Sequence, residues 1–261
     1  MSHLSPSAAV RQQARLTLKG NYVPAVFGFM ILVMPFFIII GVVDIIDAFL
    51  LQGFDDPTVL GVTSILIETP LIIILGVLFS PLLNGYVRMF YLSALSREMR
   101  LSDMFYYFER EKYQKAILLN LSCFVRLILP GLICFIPLFV FQIFSYSAMS
   151  DFTATVLFKD FSFILTVLSS ILLVLYSLRY FVVYPLFCMN EQADIPELFK
   201  VSKEIMRSQS HSAMKLVFSF TPWMLLCLTI LPMLYVIPYM TQALCIGSKW
   251  FTQAGYERNQ I

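Results

Sequence analysis

The sequence is short of charge and of the residue patterns that carry out covalent chemistry. Asp, Glu, Lys and Arg make up 13% of its 261 residues, against roughly 25% in soluble domains. That is too little to coat a water-facing surface. Histidine occurs only as His3 and His211, and neither lies inside a long apolar run. No His-x-x-x-His, Cys-x-x-Cys, Gly-x-Ser-x-Gly or glycine-rich phosphate loop is present. Intramembrane metalloproteases, haem-binding bundles and ATP-driven motors need such parts, so no cofactor, metal or enzymatic activity is expected. Cys123, Cys134, Cys188, Cys227 and Cys245 stand apart, mostly in apolar runs, and read as small reduced hydrophobes. The net charge is only +2 and the basic residues form no stripe interleaved with aromatics. Nucleic acid is excluded as a partner class.

What is abundant is apolar: 59% hydrophobic residues, with 25 Phe. The solvent this composition suits is lipid. Uncharged runs cover residues 22–43, 69–87, 127–149, 161–178 and 216–248, and about 18 apolar residues make a transmembrane candidate. The third run extends backward over 116–125 and then encloses Arg126. The basic, polar N-terminus leads into a run too long for a cleavable signal core, so the first span is expected to be an uncleaved anchor. The last run, as one straight helix, would reach about 50 Å, well beyond a hydrocarbon core of about 30 Å. A turn near Pro232–Pro238 would divide it into two short spans near 216–232 and 236–252; one kinked, tilted helix is the alternative. The expected fold class is therefore all-α: a polytopic bundle of about six spans with proline-broken helices, forming one integral membrane domain over residues 1–261.

Charge agrees with an even number of crossings. Arg11, Arg15 and Lys19 share a side with Arg88, Arg97, Arg100, Arg110, Lys112 and Lys115, then with Arg179, Lys200, Lys203, Arg207 and Lys215. Lys159 alone falls opposite, among Asp44, Asp47, Asp55, Asp56, Asp151 and Asp160. This is the positive-inside pattern. With Lys249 and Arg258 in the tail, both termini are expected in the cytoplasm.

Two polar segments read alike, "LSDMFYYFEREKYQKA" from Leu101 and "IPELFKVSKEIMRSQS" from Ile195. Leu101, Met104, Phe105 and Phe108 recur at helical spacing, as do Ile195, Leu198, Phe199 and Met206. Both predict amphipathic interfacial helices. Each precedes a proline-marked run, which suggests pseudo-repeat units over 1–92, 101–187 and 195–252.

Ionisable and polar residues at depth are the candidate site. Arg126 must snorkel, pair or line water, since a charge at a helix centre is costly. Arg88 and Arg179 end their runs where a snorkelling head would meet the headgroups. Asp44 and Asp47 share a helix face near the outer end of span one, with Glu68 near that of span two. Tyr176, Tyr180 and Tyr184, each four apart, form a stripe that reads as an aromatic belt or a polar lining.

The stretches "ARLTLKGNY" (14–22), "LPG" (129–131), "EIMRSQSHSAMKLVFSFTPWMLL" (204–226) and "VIPYMTQAL" (236–244) together resemble an uncharacterised family of bacterial integral membrane proteins, the domain-of-unknown-function family numbered nine-seven-five. The positions that carry the resemblance are Lys19, Gly20 and Asn21; Ser202, Lys203 and Met206; Ser219, Phe220 and Trp223; and Pro238 and Tyr239. It implies a multi-pass protein of the bacterial plasma membrane and brings no catalytic residues. The expected partner is the lipid bilayer, with other membrane proteins or a small-molecule or lipid substrate beside it. Two roles stay open: a non-enzymatic component that organises or regulates partners in the bilayer, or a transporter or lipid-handling permease whose polar site joins Arg126 to Asp44, Asp47 and Glu68.

Overall fold

A chain in lipid must satisfy its backbone hydrogen bonds within each segment, and helices do this. In the computed structural model, which describes residues 6–50, 57–147, 152–227 and 229–259, every regular element described is helical. In places within the apolar helices only the backbone is described, so the side chains of Asp47 and Glu68 lie outside the account. The order is α1 (Pro6–Gly20), α2 (Tyr22–Leu50), α3 (Pro57–Ala94), a 3₁₀ segment (Leu101–Phe108), α4 (Arg110–Ser147), α5 (Phe152–Ser177), a 3₁₀ turn (Leu178–Tyr180), α6 (Val183–Met189), α7 (Ile195–Phe218), α8 (Thr221–Leu226) and α9 (Ile230–Asn259).

Among the described residues, four stretches are long and apolar enough to cross a membrane: Tyr22–Ile45, Pro70–Ala94, Arg110–Phe141 and Phe161–Met189. They overlap each of the first four expected spans, the third ending at Phe141 rather than 149, and the third does reach back to enclose Arg126. Their surfaces are unlike a soluble protein's. Phe36, Phe37 and Phe163 are each more than 60% exposed, and only 11% of the third and fourth spans is buried.

Burial is concentrated instead at one end. The buried cluster comes from α1, the start of α2, the C-terminal half of α3, the 3₁₀ segment, the start of α4, residues 178–187, α7 and α9 from Tyr239 onward. Helix α9 is the axis of this base. Its Cys245 lies over the Val87 carbonyl and its Lys249 donates to the Ala94 carbonyl at 3.3 Å, so α9 runs parallel to α3. Gly247 packs on both Val10 and Leu216, and Gly255 on Ile205. Tyr235 meets Tyr22. Both α1 and α7 therefore run antiparallel to α9. The base carries the lysines and arginines from Arg11 to Lys115 and from Arg179 to Lys249, while the apolar hairpins α2–α3 and α4–α5 project from it.

The last apolar stretch folds differently from the expectation. Helix α7 continues to Phe218, six residues form α8, and α9 begins at Ile230 and runs unbroken through Pro238. The bends thus fall at 219–220 and at Cys227 and Thr229, ahead of Pro232 rather than between the two prolines. Pro232 sits in the first turn of α9, where its missing N–H has no partner to lose. Pro35, Pro81, Pro130, Pro137 and Pro238 likewise lie inside continuous helices, as membrane helices tolerate. The clear break comes at the 3₁₀ turn after α5. Among the described residues four stretches have the length and apolarity of a span, and the last apolar stretch divides into the end of α7, α8 and α9.

The two amphipathic segments also part company. In α7 the expected face is buried: Ile195, Leu198, Phe199 and Met206. Residues 101–108 are 3₁₀ rather than α, and bury Met104 and Tyr107 while Phe105 and Phe108 stay exposed. A period of three puts 104 and 107 on one side, so the α-helical spacing named the wrong aromatic partners.

Candidate functional site

Two of the predicted tyrosines and two predicted cations do come together. Arg126 donates to the Ser122 carbonyl of its own helix at 3.3 Å and lays its guanidinium 4.0 Å from the ring centre of Phe199 on α7. Tyr180 packs edge-on against the same Phe199 at 5.3 Å. The Tyr176 and Tyr180 hydroxyls are 3.4 Å apart, and Arg179 lies 5.1 Å over the Tyr176 ring. Phe199, an apolar residue of α7, is thus the hub that joins span three to span four.

Tyr184 does not continue the stripe. Its hydroxyl donates to Asn120 Oδ1 at 3.0 Å, and the Asn120 amide donates to the carbonyls of Ser80 and Ala116. The chain leaves α-helical register between Leu178 and Val182, so four-residue spacing no longer means a common face there. Asp44 is exposed on α2; the Asp47 and Glu68 side chains are outside the described residues.

The basic end holds a groove of about 710 Å³ between the end of α5, the 178–180 turn and α7. Arg179, Lys203, Arg207 and His211 line it, over an apolar floor that includes Leu175 and Met214. Lys203, Arg207 and His211 recur every fourth residue and so stand in one row. Reading the charged positions of the segment from Ile195 as a row at helical spacing, rather than only as a sidedness signal, would have found them. Nothing local joins Arg179 to that row.

A second node locks the base. Arg88, expected to snorkel, is paired: its guanidinium contacts Glu191 Oε1 at 2.5 Å. Tyr106 donates to Glu191 Oε2 at 2.9 Å, and Lys115 to the Glu191 backbone carbonyl at 2.6 Å. Arg88 and Lys112 both lie 3.6 Å from the Tyr106 ring centre. Beside them the buried Tyr107 donates to Cys188 Sγ at 3.6 Å. Burial pushes the Tyr107 hydroxyl well above its ordinary range, with the neighbouring Cys188 adding to the shift.

Buried polar residues concentrate on α3 and α9: Asn84, Ser93, Gln242, Ser248 and Thr252. The Gln242 amide is fully buried, and neither its nitrogen nor its oxygen has a partner among the described residues. Such a group costs about 1–3 kcal/mol.

No curated protein and no solved structure matches this chain. A family model described as "Protein of unknown function (DUF975)" matches residues 2–247. That match covers α1, every apolar hairpin, the basic groove and most of α9, and the chain belongs to this family.

Proposed function

We propose that the protein is a non-enzymatic component of the cell membrane that organises or regulates partner proteins within the bilayer, with both termini in the cytoplasm. The observation that carries this reading is the α4–α5 hairpin. Only 11% of the most apolar window of each of its two spans is buried, yet they rise from a base whose side chains are closely packed and which holds the Arg88–Glu191 pair. In lipid, helices associate by packing and polar contacts rather than by hydrophobic exclusion, so a rigidly mounted bare hairpin suits lateral partners. Arg126 leans on Phe199 toward the basic end, and Asp44 is exposed on α2. Both weigh for this role over a permease whose polar site would join Arg126 to the outer acidic residues. The non-enzymatic part rests on the residue inventory of the sequence.

A photo-crosslinking side chain placed at Phe124, Leu129 or Phe163, in native membranes, tests the reading. Adducts of one defined protein mass, restricted to one side of the hairpin, are expected. Lipid adducts alone at all three sites, together with solute flux through liposomes holding the purified protein, would overturn it.

A further inference from the structure

The three cations of the α5–α7 groove, Arg179, Lys203 and Arg207, have no carboxylate among its lining residues. Arg179, Lys203, Arg207 and His211 converge on a space large enough for a headgroup, and all four are exposed. Like charges brought together repel, and an anion between them relieves that repulsion. Phosphate fits the donors: the two guanidinium groups offer forked N–H pairs, and the ammonium a point charge.

The position says where that phosphate comes from. The groove opens where the uncharged run 161–178 stops, just past the end of α5 at Ser177. Leading away from it along α5, Leu175, Leu172 and Leu168 are exposed by 36%, 47% and 52%. Their spacing of three and four places them on one helix face. A molecule whose anion sits among Arg179, Lys203, Arg207 and His211 would find beside it an apolar track running toward the bilayer centre. Free phosphate has no use for such a track, whereas a diacyl lipid does.

We infer that the groove between α5 and α7 is a binding site for the phosphate of an anionic phospholipid of the adjacent leaflet, with an acyl chain lying along Leu175, Leu172 and Leu168. On the charge asymmetry of the sequence, that leaflet is the cytoplasmic one. The inference is independent of any partner protein, and stands or falls separately from the organising role.

The test is native mass spectrometry of the full chain in detergent, titrated with phosphatidylglycerol or phosphatidylcholine. The wild type is expected to retain phosphatidylglycerol selectively. Each groove cation removed should weaken it about fivefold, the scale set by the attraction of one Lys or Arg to an anionic surface. The variant R179Q/K203Q/R207Q should lose the selectivity, and K200Q/K215Q, which removes two cations of α7 outside the groove, should keep it. Ser210→Trp, which fills the groove and leaves every charge in place, should also reduce the bound lipid. Three outcomes overturn the proposal: equal retention of the two lipids by the wild type, equal loss in both charge variants, or full retention in Ser210→Trp. Displacement of the lipid by millimolar glycerol phosphate would instead assign the groove to a free phosphate compound and overturn the lipid as its occupant. Melting curves of each variant separate lost binding from lost folding, and Ser210→Trp keeps the test open should the triple variant not fold.

Discussion

The backbone carbonyl of Met104 occupies the space that a Cβ on Gly85 would need. The 3₁₀ segment therefore rests directly on the α3 backbone, and the obstacle is main chain, which cannot rotate away. Gly85→Ala is expected to destabilise the folded protein by about 1–3 kcal/mol or more, the range for forced overpacking. Gly41 has open space at its Cβ, so Gly41→Ala should be neutral or stabilising by up to about 1 kcal/mol. Thermal melting in one detergent compares the two. Equal melting temperatures would mean that the segment does not dock there.

Glu191 is the anion of the second node, and it collects Arg88, Tyr106 and Lys115. The Arg88 and Glu191 side chains are only 14% and 25% exposed, so solvent screens the pair incompletely. Glu191→Gln should cost about 1–3 kcal/mol, as expected for hydrogen bonds to a charged group. Arg88→Gln should cost a similar amount, and the double variant less than the sum, because the two share one interaction. Strict additivity in chemical denaturation would show that the contact contributes nothing to stability.

Tyr107 predicts an alkaline limit. Its folded pKa is raised by burial, whereas an unfolded tyrosine titrates near 10. Below that pH both states keep the proton and the stability it confers is complete. Above it the unfolded chain releases a proton that the folded chain holds, and stability falls by about 1.4 kcal/mol per pH unit. Tyr107→Phe should flatten the loss between about pH 10 and 11 relative to the wild type, at the cost of the Cys188 hydrogen bond near neutrality. Parallel pH profiles for the two proteins would contradict this.

Sidedness can be read with single cysteines in a cysteine-free background. An impermeant maleimide applied to intact cells should label Ala48→Cys and leave Gln12→Cys and Glu257→Cys unlabelled. Thr229→Cys decides the end of the chain. Helix α9 runs parallel to α3 with Cys245 level with Val87, so at about 1.5 Å per residue its start lies some 20 Å nearer the outer end. Labelling of Thr229→Cys from outside is expected. Protection of position 229 would make the α8–α9 turn re-entrant instead.

Much of the molecule was legible because it follows from chain-local properties. Ile195, Leu198, Phe199 and Met206 repeat at 3.6-residue spacing, and that repeat is the buried face of α7. The same rule failed at 101–108, where the chain tightens to 3₁₀ and sinks Tyr107 in place of Phe105 and Phe108. It failed again at Tyr184, where a break after Ser177 undoes a spacing that looked continuous. Prolines misled for a related reason: Pro232 marked a helix start and Pro238 a tolerated interior position, so neither made the turn.

By itself, the sequence determined the solvent, the helical class and the segregation of positive charge, since these depend on composition and on neighbours a few residues apart. Only the tertiary structure decided that Arg179 faces Lys203, Arg207 and His211, that Arg88 finds Glu191 103 residues away, and that Gly85 lies under Met104. Those pairings depend on how helices dock, and docking is settled by the shapes of whole surfaces meeting, which no local pattern in a chain so uniformly apolar encodes.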